Sequence, residues 1–298
     1  MPNTLVHLGV QSVSTKAVFK DADFKWIAIG CIIPDVPWII QRIILVAQIG
    51  IDPFDLRQYV TVQASLFFCF IFCGVLALFA ASSTKIFLLL AANSLVHLLL
   101  DAMQIKWANG VHFFAPFSWQ LVSFDFVWPE HGISYVFTAA GFIALVYFGI
   151  RDWKTKVVLT VNRSKYAAAV VLLALYCILP FWLRFGPDQA DNHYIATLRN
   201  VEERPGRYLE LDRSRYRSSD NTVEIFSGER IKITGDHPSK DAILSVKGYF
   251  SDNNTVHVSS FHIHSLLRDA SSKIALVGVL LIWLMALMKK KITVEKNQ

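Results

Sequence analysis

Long apolar runs occupy most of this chain up to residue 185, after which apolar and polar positions begin to alternate. The runs at 24–51, 60–81, 85–103, 132–150, 166–185 and 274–288 predict helices of membrane-spanning character, for which about 20 apolar residues suffice. The first is interrupted by Pro34, Asp35 and Pro37. Proline lacks a backbone N–H and bends or breaks a helix. Segment 24–51 is therefore one kinked membrane helix or two half-helices meeting at Asp35, and the polar pair Gln41 and Arg42 favours a break. Runs 60–81 and 85–103 read as cleaner helices, joined tightly through Ser82 to Lys85 as an antiparallel hairpin. Ahead of them, Leu5, Leu8 and Val13 form one stripe with His7 beside it, and Asn3 and Thr4 are candidate caps. This predicts a short amphipathic helix against the membrane or the bundle. Residues 104–131, with Trp107, Trp119 and Trp128, read as an irregular interfacial loop.

Segment 186–272 alternates with period two. RYLELD (207–212), TVEIF (222–226), RIKIT (230–234), ILSVKGYF (243–250) and TVHVSSFHIH (255–264) predict strands. Gly228, Gly235 and Asp252-Asn253-Asn254 supply the turns. Short strands at this spacing suggest a small barrel of the oligonucleotide/oligosaccharide-binding (OB) type. The expected fold is mainly α, a polytopic membrane helix bundle with an inserted β-rich, OB-like extramembrane domain. Residues 1–185 form the membrane domain, 186–272 the β-rich domain, and 273–298 the final helix with a basic tail.

Composition strengthens the membrane reading. Of 298 residues 54% are hydrophobic and 17% charged, against about 25% charged in a soluble domain; mean hydropathy is +0.41. The formal net charge of +6 then reads as basic residues held on the cytoplasmic side rather than as a nucleic-acid footprint, and no nucleic-acid partner is expected. Loop 151–165 and tail 289–298 carry that charge, which places 186–272 and 104–131 on the opposite side. Cys31, Cys69, Cys73 and Cys177 all lie in apolar runs and read as small buried residues rather than zinc ligands or bridges. There is no GxSxG, Walker loop, GxGxxG or CxxC, so serine-nucleophile, nucleotide-hydrolysing and hydride-transfer chemistry have no support.

Chemistry concentrates in Asn93–Phe117, NSLVHLLLDAMQIKWANGVHFFAPF. His97 and Asp101 are four residues apart and share a helix face. Both need a partner in apolar surroundings, and an imidazole and a carboxylate can share a divalent metal. His7 and Asp35 are further metal-competent residues in or beside apolar sequence. Each of the four has a plainer reading: a histidine bonding a neighbouring helix, or an aspartate paired with Arg42 or Lys106. His112 is a candidate ligand or general base. Glu130 and His131 read as capping and dipole compensation for the helix that follows. His262 and His264 share one strand face near His257, either as surface residues or as an HxH metal pair.

Three segments carry a resemblance. MPNTLVHLGVQ at the start, GCIIPDVPWI at 30–39 and LVHLLLDAMQIKWANGVHFFAPF at 95–117 resemble the bacterial inner-membrane, membrane-bound metal-dependent hydrolases. That family is similar to zinc-dependent phospholipase C in its ligand arrangement. The resemblance implies His7, Asp35, His97 and Asp101 as ligands of a divalent metal, zinc, with Gly110, Val111, Pro116 and Phe117 matching the family's G-V-x-x-x-x-P-F tail. It implies hydrolysis of a lipid-like or other amphiphilic ester or phosphoester by metal-activated water, with Asp35 or His112 as base. The family's H-R-G-x-T-H-S segment is absent: the corresponding region reads QYVTVQASLFF, and no histidine lies between His7 and His97. A reduced mononuclear site, completed by His112 or His131, is one outcome; loss of catalysis is the other. Two other classes remain open: a non-catalytic scaffold whose β-domain binds a partner or envelope component, and an ion-conducting role for Asp35 and Asp101.

Overall fold

The structure, a computed structural model, describes residues 3–152, 155, 157–190, 193–288 and 291–294. Among the basic residues used to orient the chain, Lys154, Lys156, Lys289 and Lys290 lie outside that set.

Helix α1 (Thr4–Val18) begins at Asn3, whose side chain accepts from the Val6 N–H at 3.1 Å, and this satisfies a donor that the first turn leaves open. It is not a surface helix. Leu5, His7, Leu8, Gln11 and Ser12 are buried, and α1 packs on α2 (Phe24–Ile32), α6 (Ser83–Ala102), α7 (Gly132–Asp152) and α11 (Leu267–Met288). Val13 departs from the expected stripe and is exposed. Its position turns it away from the contact line that Leu5 and Leu8 make. Gly9 and Gly141 bring α1 and α7 together: a Cβ at Gly9 would stand 2.7 Å from Gly141 Cα.

The interrupted segment resolves as α2, one 3₁₀ turn at Ile33–Asp35, and α3 (Val36–Val46). Together they form a single apolar stretch, Phe24–Val46, long enough to span a membrane. The expected uninterrupted helix at 60–81 is corrected. The chain forms α4 (Pro53–Gln63) and α5 (Leu66–Leu78), bent by 69° at the break. Apolar composition alone hid that break. Asp52 caps α4 from its side chain and Pro53 starts it, while the Ser65 hydroxyl bonds back to Val62 O at 2.8 Å where the helix ends. Helices α6, α7, α8 (Arg163–Leu183, continuing through α9, Phe185–Ala190) and α11 are the other spans by length and composition. Strand β1 (Val158–Val161) precedes α8 and pairs in parallel with β7 (Lys291–Val294) after α11. All four cysteines are free; Cys177 is exposed on α8, against the expectation that all four are buried. It falls on the outward face of a helix that buries only a narrow strip.

After the short helix α10 (Ile195–Arg199) come five strands: β2 (Tyr208–Arg217), β3 (Thr222–Glu224), β4 (Arg230–Gly235), β5 (Ala242–Phe250) and β6 (Thr255–His264). They close in the order β2-β3-β4-β6-β5, with β4 and β6 parallel and the other pairs antiparallel. This is the small five-stranded barrel that the alternation predicts. Leu209, Leu211, Val223, Ile231, Val246 and Val256 fill it. Arg204 is fully buried at its end, bonded to Glu229 at 2.6 and 2.8 Å and to Asn253 O at 3.0 Å. A buried guanidinium requires such complete pairing.

Candidate metal centre

The broken helix builds one wall of the site. Pro34 has no N–H to give the carbonyl of Gly30, and Ser94 of α6 donates to that oxygen instead at 3.3 Å. The next carbonyl, of Cys31, lies 2.5 Å from His97 Nδ1. Oxygens at the proline break are thus taken up by side chains of α6. The approach depends on Gly30: a Cβ there would stand 2.7 Å from Asn93 Cβ. With Nδ1–H donating to the carbonyl, Nε2 of His97 carries the lone pair and points inward.

His7, from α1, stacks on His97 with ring centroids 3.7 Å apart and planes within 6°. Burial, and next the neighbouring His97, push the His7 imidazole down to about 3, against the opposing pull of Asp101. It is neutral at ordinary pH. Asp101 lies one turn beyond His97. Its Oδ1 is 3.4 Å from His7 Nε2, and its Oδ2 is 3.7 Å from His97 Nε2 and 3.4 Å from Lys106 Nζ. Asp35, at the end of the 3₁₀ turn, places Oδ1 3.7 Å from His97 Nε2. The four residues expected to converge do so. His7, His97 and Asp101 are almost wholly buried and offer ligand atoms within 4.8 Å of one another. Asp35 stands just outside this trio and is the most exposed of the four, at 16%.

These separations decide between hydrogen bonding and shared coordination. N–H···O bonds run from about 2.7 to 3.2 Å, and His7 Nε2, His97 Nε2 and Asp101 Oδ1 have no hydrogen-bond partner among the described residues. Two ligands each about 2.05 Å from one tetrahedral zinc stand about 3.3 Å apart. The residues present fit a divalent metal in donor type and spacing, and buried polar atoms left without partners otherwise cost about 1–3 kcal/mol each.

Asp101 also lines a cavity of about 460 Å³ between the bundle and the barrel. His112 lies on the same wall, buried, with Nδ1 unpartnered among the described residues and its ring edge-on to Trp119. Burial lowers its pKa, opposed by hydrogen bonds with the backbone of Trp119 and Gln120. His112 is not in the trio of mutually close ligands. His131 is exposed and accepts from the Ile133 N–H at 3.4 Å, a capping role that removes it as a completing ligand. Where the resemblance leads one to expect further histidines, Thr61, Ala64 and Ser65 face the cavity at the α4–α5 break.

The Glu130 side chain, expected to cap α7, bonds to the barrel. Its Oε2 is 3.0 Å from His262 Nε2 and its Oε1 is 3.0 Å from His264 Nδ1; Trp128 stacks on His262 at 3.7 Å. This ties the loop before α7 to the barrel, and the three side chains form a second group able to hold a metal. His257 lies apart, exposed. Sequence reading also missed Arg57, which reaches across several elements, and the bulge in β2. There the register with β5 shifts between Leu211 and Ser214 and Arg213 takes a φ of 53°, so Asp212 and Arg213 face the cavity. The bulge has no local hydropathy signal.

Comparison with family models, with curated proteins and with solved structures gives no match for this chain.

Proposed function

We propose that this chain is a membrane-bound, zinc-dependent hydrolase of the bacterial inner membrane, acting on a lipid-like or other amphiphilic ester or phosphoester. The observation that carries the proposal is the trio of unpartnered, buried atoms on His7, His97 and Asp101, spaced as ligands of one ion. His7, His97 and Asp101 would hold the metal, which would supply Lewis acidity for activating water and polarising the scissile bond. The chain does the rest. The Cys31 carbonyl fixes the ring of His97. Asp35, the more open of the two carboxylates, would serve as general base, and His112 on the cavity wall would be a second one. Low exposure throughout keeps bulk solvent from competing. The positive-inside rule favours an extracytoplasmic position for the β-rich domain 186–272.

A non-catalytic scaffold is the second reading, favoured by Lys106, whose ammonium beside Asp101 can neutralise that carboxylate without a metal. Two measurements separate the readings. Protein purified without chelator is assayed for zinc, and the zinc-loaded protein for cleavage of p-nitrophenyl butyrate and bis-p-nitrophenyl phosphate. Zinc bound to the native chain, lost in His97→Ala with Asp101→Asn, together with metal-dependent cleavage of either ester, supports the hydrolase. Zinc no higher than in the double variant overturns it.

A further inference from the structure

The cavity beside the metal centre is lined by six cations, Arg42, Arg57, Lys106, Arg213, Arg215 and Arg268, and by four acids, Asp101, Asp212, Glu224 and Asp269. The acids are already engaged. Lys106 stands by Asp101, Arg217 and Arg230 by Glu224, and Arg213 and Arg268 by Asp269, while Asn109 and Ser245 donate to Asp212. Arg42, Arg57 and Arg215 have no carboxylate partner among the described residues. They come from three separate elements, α3, α4 and β2, yet face one space.

Arg57 is held by four aromatic and polar neighbours. Its guanidinium carbon lies 5.4 Å from the ring centre of Trp38, 4.9 Å from Tyr194 and 4.7 Å from Phe226, and Nη2 donates to Asn109 Oδ1 at 3.0 Å. Cation–π contacts hold a charge without neutralising it. Bundle, linker and barrel thus spend four contacts fixing a guanidinium that keeps its full charge and most of its donors. Other half-buried arginines of this chain are closed by a carboxylate, as Arg184 and Arg199 are by Asp55.

We propose that this arginine wall binds a phosphate group, anchored by Arg57 and completed by Arg42 and Arg215. One guanidinium fork is satisfied by one carboxylate, whereas three forks from three directions call for the tetrahedral set of oxygens that phosphate presents. The cavity is larger than that group, and its wall also carries Trp38, Leu45 and Leu98, which suits an apolar remainder. On the reading of the metal centre given above, the arginine wall narrows the substrate class to phosphoesters; the binding itself does not rest on that reading.

Full-length protein in a neutral detergent, stripped with EDTA, is titrated calorimetrically with inorganic phosphate, dioctanoyl phosphatidic acid and dioctanoylglycerol. At least one phosphate-bearing probe binds, dioctanoylglycerol does not, and Arg57→Gln weakens binding by about tenfold or more, the loss expected for charged hydrogen bonds. Arg215→Gln, on the exposed rim, weakens it by about threefold and decides the matter should Arg57→Gln fail to fold. Equal affinity for phosphate and phosphatidic acid identifies the free group as sufficient; tighter binding of phosphatidic acid identifies a lipid headgroup. Both sustain the proposal. No binding of either phosphate probe, equal binding of dioctanoylglycerol, or unchanged affinity in the folded arginine variants overturns it. A native chain that takes up no zinc and cleaves neither ester, yet binds a phosphate probe, sinks the hydrolase alone. Zinc-loaded protein that binds neither phosphate probe sinks this proposal alone.

Discussion

His7, His97 and Asp101 in the bundle, and His262, His264 and Glu130 at the barrel, each set two imidazoles beside one carboxylate, in different circumstances. At the barrel the carboxylate meets both imidazoles at 3.0 Å, Ser265 N–H adds a third bond at 3.2 Å, and the Ser245 hydroxyl lies 2.7 Å from the remaining nitrogen of His264. The carboxylate is fully engaged by protein. In the bundle the corresponding separations are 3.4 and 3.7 Å, and three atoms are left over. In the bundle a metal competes only with the Lys106 ammonium beside Asp101, whereas at the barrel it must first break good bonds. Ligand-type residues lying close together therefore mark a metal site only where the protein leaves their lone pairs unused. By that criterion the barrel trio is a clasp.

The sharpest way to break this contrast is to remove each trio and count metal. His97→Ala with Asp101→Asn lowers zinc from about one per chain to background by elemental analysis, while His262→Ala with His264→Ala leaves it unchanged. Zinc that leaves with the barrel pair instead would exchange the two assignments. Within the bundle, Asp35→Asn gives a smaller effect, a weakening of zinc affinity by about 10–100-fold in competition with a chelator, as for a group outside the innermost ligands. Total loss would make Asp35 a full ligand. At the barrel, Glu130→Gln lowers stability by about 2 kcal/mol through lost charge-assisted bonds, read as a lower thermal midpoint with zinc content intact.

The smallest effect is on pH. Burial works against ionising Glu130, but the bonds from His264 and His262 prevail and hold its carboxyl at about 2, below its ordinary 4.5. A depressed value means the clasp stabilises fully above pH 4.5 and is lost as pH falls through about 2. The difference in thermal midpoint between native protein and Glu130→Gln should hold from neutrality to about pH 5 and vanish toward pH 2. A difference that grows on acidification would refute the clasp.

Much of this was legible in the sequence. The alternation past residue 185 gave strands because period two admits little else, and His97 and Asp101 advertised a shared face by their spacing. Pro34 and Pro37 announced a break. The sequence did not reveal what the break was for, since carbonyl oxygens do not appear in a residue pattern and their partners, Ser94 and His97, lie more than sixty positions away. The α4–α5 bend escaped for another reason. Hydropathy averages over a window, and two residues of turn inside an apolar run leave the average unchanged. Arg57 was invisible because its environment comes from α3, the linker before α10, the barrel and the loop after α6.

The junction of barrel and final helix has a mechanical consequence. Only Ser265 and Leu266 separate β6 from α11, and Arg213 of the barrel reaches Asp269 in the first turn of that helix at 3.2 Å. So short and braced a joint transmits torque instead of absorbing it. The barrel and the 22-residue helix, about 33 Å of rod, form one lever. A ligand that tilts the barrel must also swing the far end of α11, so an event in the cavity can be felt at the opposite end of the helix.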